Sequence, residues 1–354
     1  MGKAGCRIAI LGLDHWYSAT LFIPAFAAEP RIEIAGIAHG DLARAREVAS
    51  QVGVSRVVAD PVELIDDDSI DAVAVFSSTD TNPGLCIAAA RAGKHVLSAK
   101  PIARTLDEAT EVVAAVRAAG VHLLPAEAIG PGSRRGPVEL VRTLASDGRL
   151  GDVAFARCSV SAGLPRSWPD ATTPGWFADP TRCAGGGWID HAVYQIDRLR
   201  WVLGREVESV SGTMANAHHT DLHVEDWGAA LARFDGGVLA ELRADWYMPS
   251  TSMYQDQWEI AGTKAVARID EVLNRVSLAA TPPEGGSLDT WMNVEVPANH
   301  GMDSVAAHVA DVVLGEAEPL ATVVDAWRNL AVAVAFYEAA RTGVRVRVKE
   351  VPRP

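Results

Sequence analysis

Lys100 is followed by Pro101 at the end of an apolar run, His95-Val96-Leu97-Ser98-Ala99. Far along the chain, Gly185-Gly186-Gly187 opens a stretch with helical spacing that carries Asp190 and Tyr194. Residues four apart are neighbours on one helix face. A lysine, a carboxylate and a phenol meeting in a cleft form a proton-relay set. Hydride transfer at a carbinol carbon needs such a set, because the hydroxyl proton moves as the hydride does. Each residue also has a plainer reading: a solvated strand-end lysine, a carboxylate at a helix N-terminus and a core tyrosine with a satisfied hydroxyl. His191, one step round the helix from Asp190, is expected to point elsewhere.

The elements that must position these residues follow from periodicity. Strands are expected at Arg7–Leu11, Ile32–Ala38, Val57–Val58, Ala72–Phe76, His95–Ser98 and Val121–Leu124. Helical patterns lie between them, at about His15–Ala28, Leu42–Val52, Pro83–Ala92 and Asp107–Ala119. The strands are apolar nearly throughout, as in a parallel sheet covered on both faces. The alternation predicts an α/β fold: an N-terminal doubly wound Rossmann sheet over residues 1–125. Beyond it, residues 126–354 read as an α+β domain with a large, mainly antiparallel sheet. That part holds a helix at Pro137–Ser146, a Pro-, Gly- and Trp-rich loop at Gly163–Ala184, the Asp190 helix running to about Leu203, and alternating strands across Val207–Val296. Two closing helices, about Met302–Leu314 and Val323–Arg341, complete it, and the last is expected to pack back on the first domain.

With 354 residues, 49% hydrophobic and 22% charged, the chain has material for two ordinary globular domains. A formal charge of −13 with no Lys/Arg cluster argues against nucleic acid and against an anionic membrane surface. Cys6, Cys86, Cys158 and Cys183 are scattered, with no C-x-x-C pair, and read as reduced, buried thiols. The first residues, Met1-Gly2-Lys3-Ala4-Gly5, lack an apolar signal stretch, so a cytoplasmic location is expected. His218, His219, His223, Glu225 and Asp226 match no familiar metal spacing. They read as a loop bordering the substrate cleft, and no metal is expected.

A strand ending in Gly12 before a helix is where a Rossmann domain holds a pyrophosphate. The usual G-x-G-x-x-G/A pattern is here Gly12-Leu13-Asp14-His15-Trp16-Tyr17. Asp14 replaces the glycine that lets backbone approach phosphate, and Tyr17 the small residue that lets helix and sheet pack closely. Asp14 reads as an N-cap for the next helix, or else His15 and Trp16 contact a cofactor or the loop serves another ligand. The second strand ends Ile37-Ala38-His39-Gly40-Asp41, with His39 where a ribose-binding carboxylate is usual. That tilts the choice between NAD and NADP slightly to NADP. Ser77, Ser78 and Thr79, after the Ala72–Phe76 strand, are expected along the dinucleotide path.

Taken in order, five segments resemble the Gfo/Idh/MocA family, the glucose–fructose oxidoreductase and inositol dehydrogenase group. Ala90 to Pro101 is similar to the family's A-x-x-A-G-K-H-V-L-x-E-K-P, with Ala99 for its glutamate. Gly148-Arg149-Leu150-Gly151-Asp152-Val153 resembles its turn into the second domain, and Gly185–Asp190 with Tyr194 its G-G-G-x-x-x-D-x-x-x-H/Y, one residue shorter before the Asp. Ile260–Ala265 resembles its G-T-x-G hairpin, and Ala331–Gly343 its C-terminal helix. The resemblance implies that Lys100 and Pro101 lie by a nicotinamide, that Asp190 and Tyr194 complete the catalytic set, and that the large sheet makes a homodimer or homotetramer. It implies an NADP- or NAD-dependent oxidoreductase acting on a hydroxyl or keto group of a sugar, cyclitol or related polyol. Lys100 would polarise the oxygen, Asp190 tune the relay, and Tyr194 exchange the proton if Lys100 lowers its pKa. The cofactor side departs from the pattern at Gly12–Tyr17, His39 and Ala99. A non-catalytic ligand-binding or regulatory protein on the same fold is therefore the alternative.

Overall fold

A computed structural model describes residues 5–130, 133–250, 253–280, 291–296 and 301–352. The initial residues 1–4, on which part of the N-terminal reading rests, lie outside the described residues.

The first half is β1 (Cys6–Leu11), α1 (Trp16–Ala28), β2 (Ile32–Ala38), α2 (Leu42–Gln51), β3 (Val57–Val58), α3 (Val62–Ile65), β4 (Ala72–Val75), α4 (Asn82–Arg91), β5 (His95–Ser98), α5 (Leu106–Ala119) and β6 (Leu123–Pro125). The six strands are parallel, in the order β3-β2-β1-β4-β5-β6. The order reverses beside β1, so the loops after β1 and β4 open a crevice at the carboxyl edge of the sheet, where doubly wound folds take ligands. Strands as apolar as Ile8-Ala9-Ile10-Leu11 are buried on both faces. Local chemistry sets the helix ends. Thr105 and Glu108 form a capping box at the start of α5, and Gly120 closes it in the left-handed region at φ 67°.

The second half runs α6 (Ala126–Ile129), α7 (Pro137–Ser146), β7 (Val153–Gly163), a 3₁₀ turn (Gly175–Ala178), α8 (Gly187–Leu203), β8 (Val207–Ala215), β9 (Trp227–Phe234), β10 (Leu239–Met248), β11 (Tyr254–Gly262), β12 (Ala265–Asp270), β13 (Arg275–Ala280), β14 (Met292–Val294), α9 (Met302–Val313), α10 (Val323–Thr342) and β15 (Val346–Arg347). Its nine-stranded sheet has the order β14-β13-β12-β11-β7-β10-β9-β8-β15. Only β7 and β10 are parallel; the other pairs are antiparallel. β7, not anticipated from the sequence, is the strand that joins the two antiparallel wings.

α8 lies across one face of this sheet and α10 packs on it. Trp188 stacks on Phe336 with ring centroids 3.6 Å apart. Behind α8, Arg134 makes a two-pronged bond to buried Asp197, at 2.8 and 2.7 Å, and reaches Asp325 of α10 at 3.0 Å. α9 packs on α1, and α10 on α5 and β6, so both closing helices touch the first sheet's layer. All four cysteines are free and buried, and burial pushes the Cys86 thiol up to about 12. Among the described residues no helix is long and apolar enough to cross a membrane.

Candidate active site

Lys100 leaves the end of β5 through a cis Lys100–Pro101 peptide and points into the space between the two sheets. Its ammonium donates to the backbone carbonyl of Asp190 at 2.6 Å and pairs with the Asp190 carboxylate. The other carboxylate oxygen accepts from the Trp246 indole N–H at 2.9 Å. Burial opposes both charges, yet each is held by the other. Asp190 stays well below the usual carboxylate range, and Lys100 is raised above its ordinary value. Burial, the largest influence on Lys100, pulls it down, but the Asp190 and Tyr194 charges and the Asp190 hydrogen bond together overcome it. Lys100 is thus a fixed cation at any working pH, with its direction set by Asp190 and Trp246.

Tyr194, one turn along α8, has its ring 5.4 Å from the Lys100 ammonium. Lys100 does pull this phenol's pKa down, as the sequence suggested, but the net value is raised. Burial raises it, and the pull of Lys100, which stands over the ring face, does not cancel that. Tyr194 is a firmly protonated phenol. His191 is a correction, since it faces the same cavity. Its Nε2 lies 3.3 Å from Asp190 Oδ2, and neither ring nitrogen has a hydrogen-bond partner among the described residues. Burial lowers its pKa against the pull of Asp190, leaving a neutral imidazole. The sequence signal was present but misread. Near a helix start a cavity can be walled by two consecutive residues.

What seats α8 lies in the His218–Asp226 stretch. The Glu225 carboxylate accepts from the amides of Gly186 (3.0 Å) and Trp188 (3.2 Å) and from the Tyr337 hydroxyl (2.7 Å). A buried anion at a helix N-terminus complements its dipole. Gly186 is required there, because a Cβ would stand 1.9 Å from the Glu225 carbonyl oxygen. Asp226 accepts from the amides of Ala217 and His218, and His219 Nε2 lies 3.0 Å from the Trp246 carbonyl. The stretch braces α8; it does not border the cavity, although the sequence had suggested that. Among the described residues no three His, Cys, Asp or Glu converge as metal ligands.

On the dinucleotide side, Gly12 takes φ 80°, and a Cβ there would meet Ser77 at 3.0 Å. Only glycine lets the two loops touch back to back. The N-cap of α1 is not Asp14 but His15, whose Nδ1 accepts from the Ser18 amide at 3.4 Å. That bond leaves the proton on Nε2, which is buried and has no partner among the described residues. Burial, reinforced by the Lys100 charge, lowers His15 to about 3. His15 therefore presents a neutral N–H donor beside Lys100. Asp14 instead acts on His39, as does Asp41, although burial still lowers the imidazole. Trp16 turns away, donating to the Arg166 carbonyl at 2.7 Å.

The Gly163–Ala184 loop crosses this crevice as a strap. The Trp176 indole donates to the Asp14 carbonyl at 3.0 Å, and Arg182 reaches Ser78 Oγ at 2.8 Å and Asp80 at 3.1 Å. Arg104 donates to the Thr181 carbonyl at 2.6 Å. Arg44 stands 4.7 Å over the Trp168 ring. Thr79 and Pro101 meet Trp176 in a narrow crevice that adjoins Lys100 and Asp190.

Lys100, Asp190, Tyr194, His191 and His15 therefore converge on one cavity of about 340 Å³, while Ser77, Ser78, Thr79 and His39 trace the sheet edge leading to it. The residues fit a dinucleotide. The left-handed Gly12 turn, the amides that open any helix such as α1, and the Ser77 Oγ and His15 Nε2, which have no partner among the described residues, all lie along that edge.

Comparison with known proteins places both halves of the chain. Residues 6–126 match the model of an oxidoreductase family with an NAD-binding Rossmann fold, and residues 138–268 match a GFO/IDH/MocA C-terminal domain. A 1,5-anhydro-D-fructose reductase of Ensifer adhaerens is 27% identical over 318 residues, 90% of this chain and 91% of the relative. A scyllo-inositol 2-dehydrogenase (NAD(+)) of Bacillus subtilis (strain 168) is 25% identical over 350 residues, 97% of this chain and 96% of the relative. The structure of a levoglucosan dehydrogenase in complex with NADH and L-sorbose superposes with a TM-score of 0.85 at 19% identity, covering 99% of this chain and 100% of that one.

Proposed function

The chain belongs to the Gfo/Idh/MocA family of oxidoreductases with an NAD-binding Rossmann domain, and on that premise we propose that it moves a hydride between a nicotinamide dinucleotide and a hydroxyl or keto carbon of a sugar, cyclitol or related polyol. The observation that carries this reading is the buried Lys100–Asp190 pair, open to a cavity and flanked by a protonated phenol. The family relatives named above act, by their names, on an anhydro sugar and an inositol. No comparison favours the non-catalytic alternative.

A nicotinamide ring bound at the crevice supplies the hydride donor or acceptor; the rest is the work of side chains. Gly12, Ser77, Ser78 and Thr79 would line the path of the pyrophosphate, and His15 and Pro101 would flank the nicotinamide. Lys100 holds the substrate oxygen and stabilises negative charge developing on it. It cannot serve as the titrating acid, because Asp190 keeps it charged. Tyr194 exchanges the proton, starting in the reductive direction from the protonated form that burial enforces. Asp190 aims the ammonium, and neutral His191 orients the second hydroxyl.

At the end of β2 the electrostatics favours NAD over the NADP that His39 alone suggested. His39 is held neutral by burial with Asp14 and Asp41 close by, and Arg44 is already paired with Asp41 at 3.3 Å. A 2′-phosphate would meet two carboxylates, whereas a ribose 2′-hydroxyl would find acceptors. The outer face of the nine-stranded sheet carries mixed charges, such as the Arg268–Glu259 pair at 2.6 Å. Such a face suits a self-complementary contact, and the chain is read as a homodimer or homotetramer joined there, which its mass in solution checks.

Lys100→Met tests the assignment. Turnover should fall by about three orders of magnitude or more, while NADH affinity and the circular dichroism spectrum stay close to the parent. Turnover within a few-fold of the parent would remove Lys100 from the reaction.

A further inference from the structure

The cavity holds a second ion pair besides Lys100–Asp190. Two turns further along α8, Arg198 reaches the same cavity beside Tyr254. Eight residues of helix span about 12 Å, but long helical side chains lean toward the N-terminus, which brings the guanidinium back toward Tyr194. The Tyr194 phenol feels the charges of both Lys100 and Arg198. His191 stands between the two pairs, its Nε2 3.3 Å from Asp190 Oδ2 and its ring 5.5 Å from that of Tyr254. Arg198 is 3% exposed and Asp256, its partner on β11, 1%. Nη1 of Arg198 donates to Asp256 Oδ2 at 2.6 Å, and among the described residues the buried Nε has no partner. The same Asp256 oxygen accepts from the Tyr254 hydroxyl at 3.4 Å. With its proton turned to Asp256, the Tyr254 oxygen keeps lone pairs for another donor. Balancing Asp256 needs only a positive charge. A guanidinium edge left without a partner is more than that task requires, because buried donors are as a rule paired.

Resting on the function proposed above, we infer that Arg198 and Tyr254 form a second anchor for the substrate, one that takes a neutral hydroxyl on a carbon remote from the reacting one. The anchor offers one donor edge, on Arg198, and one acceptor, on Tyr254. A hydroxyl accepts and donates at once and so satisfies both. A carboxylate or phosphate has no proton to give Tyr254. It would also face Asp256 and Asp190, whose charges already cancel those of the two cations. Arg198 is then a specificity-determining residue that acts on binding, while proton transfer stays with Lys100 and Tyr194.

Two probes isolate the anchor. myo-Inositol and trans-cyclohexane-1,2-diol share a six-membered ring with vicinal hydroxyls, and only inositol carries hydroxyls on the far carbons. Oxidation of each is followed with the full chain and NAD, in the parent and in Arg198→Lys. The lysine keeps a charge for Asp256 but gives up the planar guanidinium edge. In the parent, kcat/KM for inositol should exceed that for the diol about ten-fold or more, the effect of a hydrogen bond to a charged group. In Arg198→Lys the inositol KM should rise by a similar factor, while its kcat, both diol values and the thermal midpoint stay close to the parent's. If the lysine variant does not fold, Tyr254→Phe gives the same contrast at a residue that is 41% exposed, with the Arg198–Asp256 bond kept. A folded variant that treats both compounds as the parent does would mean that Arg198 only balances Asp256. That result, a diol equal to or better than inositol in the parent, or equal losses for both compounds would overturn the inference and leave the oxidoreductase function standing. Oxidation of neither, by protein that binds NADH, would overturn both.

Discussion

Glu127 is the residue that neither the sequence nor the proposed chemistry singled out. It sits on α6, 1% exposed, with the Asn329 amide at 3.5 Å and its charge felt by Lys100 and Tyr194. Burial, with the Asp197 charge added, pushes it up to about 7. Because the folded value lies above that of an unfolded glutamate, folding favours the protonated form. Its stabilisation is complete below the unfolded value and is lost as pH rises through about 7. Glu127's own contribution to the thermal midpoint should therefore fall between about pH 5 and about pH 8. It acts against the neutral histidines His15, His39 and His191, whose values burial lowers and which favour higher pH, and Glu127→Gln should remove its part of that fall. Glu271, likewise raised to about 7 by burial, contributes a fall of its own. Identical slopes in parent and variant would show that Glu127 is ionised throughout. At this scale the sequence was most legible where chemistry needs unusual company: a lysine before proline and a carboxylate after three glycines. It was least legible where a neighbour decides protonation. Neither the burial that keeps Tyr194 protonated nor the Ser18 amide that fixes the His15 tautomer has a signature in spacing.

Among the elements, α8 carries the site, and its seat is more elaborate than its own sequence. Its N-terminus is fixed by Glu225, Glu225 by Tyr337 of α10, and Asp190 by Trp246 of β10. Removing this cap should cost about 1–2 kcal/mol, as lost caps do. Glu225→Gln keeps the shape but gives up an acceptor and the anion. It should lower the thermal midpoint and reduce kcat more than it weakens NADH binding, because α8 aims Asp190 while the proposed dinucleotide path follows β1, β4 and β5. A variant with unchanged kcat would mean that α8 is held by packing alone. Strands such as Ile32–Ala38 and His95–Ser98 were read to the residue, since uninterrupted apolar runs between glycine-closed helices admit few alternatives. β7 escaped although Arg157, Ser159 and Ser161 alternate with Cys158, Val160 and Ala162 as in a strand; Ser161 is itself buried, and the parallel partner β10 comes much later in the chain.

For the whole molecule, the function depends on two layers meeting at one cavity. The first sheet delivers Lys100 and the Gly12 turn, the second half delivers Asp190 and Tyr194, and the Gly163–Ala184 strap bonds to the loops after both β1 and β4. That loop was anticipated as a Pro-, Gly- and Trp-rich connection. Its role as a cover over the crevice was not legible, since the partners Asp14 and Ser78 lie so far back in the chain. α9 on α1 and α10 on α5 hold the two layers in register. The departures from the glycine pattern are read in the same way. The Asp14 charge acts on His39, and the Tyr17 hydroxyl accepts from the Arg166 amide, while Gly12 keeps its left-handed turn.

The central claim is that this rebuilt crevice still accepts a nicotinamide dinucleotide, and titration of the purified chain with NADH and NADPH, followed by nicotinamide fluorescence, tests it most directly. The account predicts micromolar binding of NADH, with NADPH weaker by about an order of magnitude from charge repulsion at Asp14 and Asp41. A folded protein that binds neither would contradict it.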